Sequence, residues 1–169
     1  MPLVAPPGLA VRWARPGEAD RVYPLVAALA GGEGATAPHP VAFTGVFERS
    51  FDGGATYRFV VAERSRAVVG AMTLHARTST WAARPVVEVQ DVFVVPDARR
   101  RGVARALLAF AERHARSAGA ARIELQVLRS NEAAKKLYAE LGYRGTEYEL
   151  WRRPVSLEDD AVLDDLFRR

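Results

Sequence analysis

The stretch Val94–Leu108, VVPDARRRGVARALL, decides how this chain is read, because two kinds of secondary structure meet in it. It begins at the end of VVEVQDVFVV (86–95), a run too continuously apolar for an edge strand. From Val103 onward, apolar residues recur at helical spacing. They form one face, which consists of Val103, Leu107, Phe110, Ala111 and His114. The pattern predicts a buried strand, a short turn and a helix that ends near residue 117.

The turn concentrates positive charge beside the first residues of a helix. Its arginines are Arg99, Arg100, Arg101 and Arg105. The first turn of a helix leaves backbone N–H groups unpaired at the positive end of the helix dipole, so it binds anions. Gly102 allows a ligand to approach the main chain without a Cβ in the way, and Ala104 is the next smallest choice. We therefore expect a phosphate ligand, while the alternative is that the arginines only keep a solvated turn soluble.

Composition bounds the class of protein. The chain has 169 residues, of which 49% are hydrophobic and 26% charged, as is typical of one globular domain. It has no cysteine, and its three histidines lack metal-site spacing, so we expect no metal and no disulfide. The absence of a membrane-spanning run and of a signal peptide predicts a cytoplasmic protein without a membrane partner. The net charge of +4 permits an anionic partner.

Strand and helix patterns alternate along the whole chain. Residues 1–8 are proline-rich and are expected to form a flexible arm, and residues 157–169 are a candidate C-terminal helix. Between them we predict strands at 9–15, 56–63, 68–77, 86–95, 121–128 and 143–154, and helices at 16–30, 38–54, 103–117 and 131–142. No linker or internal repeat divides the chain, so 1–169 is expected to be a single domain.

Three linked segments resemble one known family. Arg99–Ala104 (RRRGVA) matches the R/Q-x-x-G-x-G/A signature of the GNAT superfamily, the acetyl-CoA-dependent N-acetyltransferases, with Ala104 where glycine is commoner. VEVQDVFVVPD (87–97) is similar to the family's fourth strand, and IELQVLRSNEAAKKLYAELGYRG (123–145) is similar to its fifth strand and the helix that follows. The resemblance implies an α/β fold with a mixed, mostly antiparallel seven-stranded sheet. This sheet is splayed between strands 4 and 5 and flanked by about four helices.

The resemblance also implies where acetyl-CoA binds as a co-substrate. The backbone of Val92, Phe93 and Val94 would pair with the pantetheine arm. The turn would hold the pyrophosphate through Arg99, Arg100, Arg101, Gly102, Val103, Ala104 and Arg105. Asn131 has two interpretations, a helix N-cap or a contact to the cofactor, and these are compatible.

For catalysis, the family's reaction is direct attack of an amine on the thioester. Tyr138 stands where the family places the proton donor for the departing thiolate, although periodicity alone makes it a core tyrosine. An alternation with period 2 places Glu88 and Gln90 on one face of their strand with Val92 and Val94, and Asp91 on the other with Phe93 and Val95. Gln90 cannot serve as a base, so Glu88 and Asp91 are the candidates, directly or through water. A structural role for Asp91 is equally open.

Two other functions compete with an N-acetyltransferase. One is a catalytically silent acyl-CoA-binding regulatory domain; the other, which we place last, is a basic nucleic-acid-binding domain, because no binding module accompanies the charge. We expect a small-molecule or peptide amine as partner, and no nucleic acid. A homodimer is left open, and so is the identity of the acceptor. A cationic amine is predicted from acids that the resemblance would place around the acceptor side of the gap between strands 4 and 5, namely Glu33, Glu48, Asp52, Glu88, Asp91, Glu147 and Glu149.

Overall fold

The structure is a computed structural model that describes residues 6–151, which contain strands and helices in the predicted alternation. The strands are β1 (Leu9–Trp13), β2 (Tyr57–Arg64), β3 (Ala67–Ser79), β4 (Arg84–Val94) and β5 (Arg122–Leu125). The helices are α1 (Ala19–Gly32), α2 (Pro40–Arg49), α3 (Val103–Ser117) and α4 (Glu132–Glu140). No helix in this part of the chain is long and apolar enough to cross a bilayer.

The sheet has the order β1-β2-β3-β4-β5, with every neighbouring pair antiparallel except β4 and β5, which are parallel. This confirms the predicted mixed, mostly antiparallel sheet. Five strands are described where seven were predicted. Of the predicted strand 143–154, residues 143–151 form no strand, because they join no hydrogen-bonded ladder, and residues 152–154 lie outside the described part.

Helices cover both faces of the sheet. On one face α1 and α2 bury Val22, Leu25, Phe43 and Phe47 against β2 and β3, in a cluster that includes Ala71. The residue before Ala71 points the other way: a Cβ at Gly70 would lie 2.9 Å from Val103 Cγ1 and 3.3 Å from Leu107 Cδ1. Therefore α3 packs on the opposite face, and the predicted helix face is confirmed by the burial of Val103, Leu107 and Ala111.

Two of the three histidines have structural positions. His39 is the N-cap of α2, where its Nδ1 accepts a hydrogen bond from the Val41 N–H at 3.3 Å. His114 packs edge-on against Trp13, with ring centroids 4.9 Å apart, on the face of α3 that meets the sheet. Burial, followed by the charge of Arg58, lowers the pKa of His114.

Glu18 ties the end of β1 to the start of α1. Its carboxylate accepts two hydrogen bonds from the Arg12 guanidinium, at 2.7 and 2.8 Å, and one from the Arg15 N–H at 2.9 Å. The Arg21 guanidinium also donates to the Glu18 carboxylate. The Arg12 guanidinium donates in addition to the carboxylate of Glu63 on β2. The hydrogen bonds from Arg12 are the largest cause that lowers the pKa of Glu18 from 4.5 to about 2. Glu18 is only 8% exposed, so this ion pair is a structural element of the fold.

The described residues fall into two compact units, one that ends at Glu132 and one that begins at Ala133. The single domain over 1–169 therefore stays a prediction. At the N-terminal end of the first unit, the Pro6 carbonyl accepts a hydrogen bond from the Leu9 N–H at 3.1 Å. Within the second unit α4 ends before Gly142, as predicted, and the Tyr143 N–H donates to the Tyr138 carbonyl. The arm residues 1–5 and the candidate helix 157–169 lie outside the described residues.

Candidate active site

Strands β4 and β5 pair over only part of their lengths. The parallel ladder runs from Val86 opposite Arg122 to Val89 opposite Leu125, where β5 ends. Strand β4 continues to Val94, and beyond Val89 its strand partner within residues 6–151 is β3 alone. The segment Gln90–Val94 consequently has one backbone edge that no neighbouring strand occupies. This edge lies where the family resemblance implies a gap between the fourth and fifth strands.

A β-bulge lies at the start of this free edge. Thr73 on β3 pairs with Gln90 and Ala71 pairs with Phe93, so that Asp91 and Val92 together stand opposite one residue. Asp91 has a φ of +54°, in the left-handed region, as expected for an extra residue in a bulged strand.

The bulge shows that the predicted alternation along β4 is right for Glu88 and Gln90 and wrong beyond them. Paired residues on adjacent strands share a face, so Gln90 lies with Thr73, and Phe93 lies with Ala71, on the α1 and α2 side. Glu88, opposite His75, is on that side as well, whereas Val94, opposite Gly70, is on the α3 side. The extra residue shifts the phase, because a period of 2 holds only while both strands advance together.

Both candidate bases have a hydrogen-bonding neighbour. The exposed Asp91 accepts a hydrogen bond from the hydroxyl of the buried Thr73, with Oγ1 and Oδ2 3.4 Å apart. Glu88 is half-buried and accepts one from Gln126 Nε2, also at 3.4 Å. The structure therefore places Asp91 at the free edge, and Glu88 further down the same face.

The arginine turn has the backbone of an anion site. After a short 3-10 turn, Pro96–Ala98, Arg100 has a φ of +60° and Gly102, the N-cap of α3, a φ of +78°. The Ala106 N–H donates to the Gly102 carbonyl at 3.0 Å, across the start of the helix. The N–H groups of Val103 and Ala104 precede that bond and lie at the positive end of the helix dipole. Because the Val103 side chain is buried, this residue can meet a ligand only through its backbone.

Gly102 is required here for a reason that the sequence did not indicate. A Cβ at this position would lie 3.0 Å from Pro6 Cγ, so the N-terminal segment, rather than open space, faces the missing side chain. The positive φ is a second reason, because L-residues with a side chain rarely adopt it.

The arginines of the turn are not equivalent. The Arg99 Nε donates to the Val94 carbonyl at 2.9 Å, and its guanidinium lies 5.5 Å from the centroid of the Phe93 ring. Arg99 thus folds back onto β4 and uses a carbonyl that was expected to meet pantetheine. Arg100 and Arg101 are exposed at the turn.

The family model described as Acetyltransferase (GNAT) family matches residues 25–143, which is most of the chain and includes β4, the turn and α3. The chain belongs to the GNAT family.

Similar proteins support this assignment. Aminoalkylphosphonate N-acetyltransferase of Salmonella typhimurium is 30% identical over 138 residues, which cover 82% of this chain and 86% of that protein. A crystal structure of a probable acetyltransferase is 24% identical with a TM-score of 0.76, and covers 88% of this chain and 99% of its own. Aminoglycoside N-acetyltransferase AAC(6')-Iy in complex with CoA is 21% identical with a TM-score of 0.72, covering 86% and 94%. The two structures show the fold, and the family shows the activity: this GNAT protein is an acetyl-CoA-dependent N-acetyltransferase.

The GNAT fold binds CoA, and the residues present fit that ligand. The free backbone edge of Gln90–Val94 can pair with the amides of a pantetheine arm. The first turn of α3 offers N–H groups and arginine side chains to phosphates. The two features adjoin each other, because only residues 95–102 separate them.

Asn131 lies just before α4, and Tyr138 lies in the second half of this helix. Tyr138 is half-buried, and this burial raises the pKa of its hydroxyl, which therefore carries its proton at neutral pH. Its ring lies 5.9 Å from that of Tyr143. Asn131 directly precedes α4, and its N–H donates to the Leu128 carbonyl at 2.9 Å. Its roles as a helix cap and as a cofactor contact stay predictions.

Sequence reasoning missed His75. This residue lies on β3 directly opposite Glu88, and its ring stacks on Tyr57 with centroids 5.5 Å apart and planes at 23°. The available signal was the alternation of the polar Thr73 and His75 within an otherwise apolar strand.

Proposed function

We propose that this GNAT protein transfers the acetyl group to a primary amine of a small molecule or peptide, by direct attack in a ternary complex. The observation that carries the proposal is the free edge of β4, which begins at a bulge with a carboxylate and leads into an arginine-rich helix start. One end of this feature suits the phosphates of a cofactor and the other suits proton transfer. Acetyl-CoA supplies the thioester that the amine attacks.

We assign cofactor binding to the backbone of Val92, Phe93 and Val94, and to the turn. In the turn, the N–H groups of Val103 and Ala104 and the charges of Arg100 and Arg101 bind phosphate. Arg99 is proposed to hold the turn against the end of β4, since its side chain donates a hydrogen bond to the Val94 carbonyl. Arg105 and Asn131 complete the proposed set. We also propose the seven-stranded, splayed sheet of the family for the whole chain.

Proton transfer requires a base for the ammonium and an acid for the thiolate. Either Glu88 or Asp91 is the proposed base beside the ammonium, because both lie on the α1 and α2 side of β4 near the bulge. Tyr138 is the proposed acid, since burial keeps its hydroxyl protonated. A neutral tyrosine can donate to a thiolate and regain its proton from water.

The acceptor is proposed to be a small amine. The Salmonella typhimurium relative is named for aminoalkylphosphonates, so 2-aminoethylphosphonate is the first candidate. The acidic residues predict a cationic acceptor instead, and a polyamine represents that class. The other amines to be tested as acceptors are an amino acid, an aminoglycoside and a peptide with a free amino terminus.

The experiment measures acetyl-CoA consumption with each amine, and CoA affinity by calorimetry. Ala104→Glu places a negative charge at the first turn of α3 and should weaken CoA binding at least tenfold. Ala118→Glu adds the same charge at the other end of α3 and is the matched control. Turnover with one class of amine, lost in the first variant only, is the expected result. CoA binding without turnover of any amine would favour the silent regulatory domain, and equal CoA affinity in both variants would refute the turn as the phosphate site.

A further inference from the structure

One face of the sheet has a row of polar side chains, and only some of them have a role in the proposed function. Thr73 and His75 alternate along β3 and face the α1 and α2 side, and Gln90 and Glu88 stand opposite them on β4. Gln126, just past β5, reaches Glu88 with its amide. The row begins at the bulge and continues to His75, about 7 Å along the strand, which is the rise of two residues.

His75 is held in place from the side. Its ring stacks on Tyr57, and the Tyr57 hydroxyl donates to the Val46 carbonyl of α2 at 2.8 Å. His75 is half-buried, so the imidazole is both fixed and in reach of solvent. Within residues 6–151 no protein group hydrogen-bonds to either ring nitrogen, which leaves these atoms available for proton exchange.

We propose that His75 accepts the proton that the acceptor ammonium loses beside Glu88, before the amine attacks. The inference rests on the proposed function and deepens it. The N–H bond of the ammonium breaks, its electron pair stays on nitrogen as the nucleophile, and the proton moves to the neutral imidazole, directly or through the Glu88 carboxylate. Being half-exposed, the imidazolium then releases the proton to water.

The charges around His75 favour this role. Glu88 on β4 stands directly opposite His75 on β3, so its carboxylate can attract the ammonium to this part of the sheet. Arg77 lies two residues after His75 on β3, and it forms an ion pair with Glu124 on β5. Tyr57 on β2 contributes a ring face without charge. Imidazole is the side chain that ordinarily exchanges protons between about pH 5 and 8, where carboxylates are already ionised.

His75→Gln tests the proposal, because glutamine keeps polarity and similar length but cannot carry the proton. We expect kcat/KM for the amine to fall roughly 100-fold, the magnitude typical of a lost general base. The KM for acetyl-CoA should stay within about twofold, and the rise of kcat/KM between about pH 5 and 8 should disappear. CoA affinity equal to that of the wild type verifies that the variant folds.

The other histidines provide matched controls. His39→Asn preserves a side chain that can cap α2, and His114→Gln replaces the ring that packs against Trp13, so each should retain the pH profile. The variant that combines His39→Asn with His114→Gln retains His75 as its only histidine. It should keep the rise of kcat/KM between about pH 5 and 8. This measurement tests the proposal whether or not His75→Gln folds. Loss of this pH dependence in the double variant, or an unchanged pH profile in His75→Gln, would overturn the role of His75 and leave the proposed function standing. Absence of turnover by the wild type would instead refute the proposed function.

Discussion

Gly102→Ala tests whether the arginine turn is held by the N-terminal segment as well as by its own backbone. Gly102 has a φ of +78°, and a Cβ there would lie 3.0 Å from Pro6 Cγ. The left-handed conformation costs a residue with a side chain about 1 kcal/mol. Overpacking against Pro6 adds about 1 kcal/mol more. The expected loss in free energy of unfolding is therefore about 2 kcal/mol, or a fall in Tm of roughly 4–8 °C for a chain of this size.

The matched control is Gly119→Ala at the other end of α3. Gly119 has a φ of +65°, but no atom lies within 4 Å of the position of its missing Cβ, so only the conformational cost of about 1 kcal/mol applies. Pro6→Ala completes the design: combined with Gly102→Ala, it should recover about 1 kcal/mol as a coupling free energy.

Urea unfolding of these variants measures the free energies, and calorimetry measures CoA affinity in each. If the turn binds the pyrophosphate, Gly102→Ala weakens CoA binding, while Gly119→Ala leaves it unchanged. Equal losses of stability in the two glycine variants, together with no recovery by Pro6→Ala, would refute the packing of Pro6 on the turn.

Three further outcomes are expected. Tyr138→Phe should lower kcat about 100-fold with CoA affinity unchanged, and equal turnover would return Tyr138 to a packing role. Asp91→Asn should keep turnover within about tenfold, because the amide oxygen still accepts the bond from Thr73 and asparagine tolerates a positive φ; a larger loss would make Asp91 the base in place of Glu88. The pKa of Glu18 is lowered on folding from 4.5 to about 2, so its stabilisation is present above pH 4.5 and is lost as pH falls toward 2. Glu18→Gln should therefore cost about 3 kcal/mol at pH 7, with the difference vanishing near pH 2; a gap independent of pH would contradict the ion-pair explanation.

Sequence patterns predicted the parts of the site that depend on neighbours along the chain. The strand, turn and helix around Arg99–Gly102 were placed correctly, since apolar periodicity and a helix start are local features. The same holds for the end of α4 before Gly142. The family followed from three such segments in order, and the match over residues 25–143 confirmed it.

Tertiary structure alone decided which side chains share a face and what surrounds the turn. The bulge at Asp91 placed Gln90 and Phe93 on one side of β4, contrary to the alternation, because strand register is set by the partner strand. The early end of β5 freed the edge of Gln90–Val94, and the pairing of β3 with β4 brought His75 to Glu88. Pro6 reached Gly102 across nearly a hundred residues. Such contacts join residues far apart in the chain, so their formation depends on the packing of the whole sheet, whereas a helix start or a strand period is determined by residues a few positions apart.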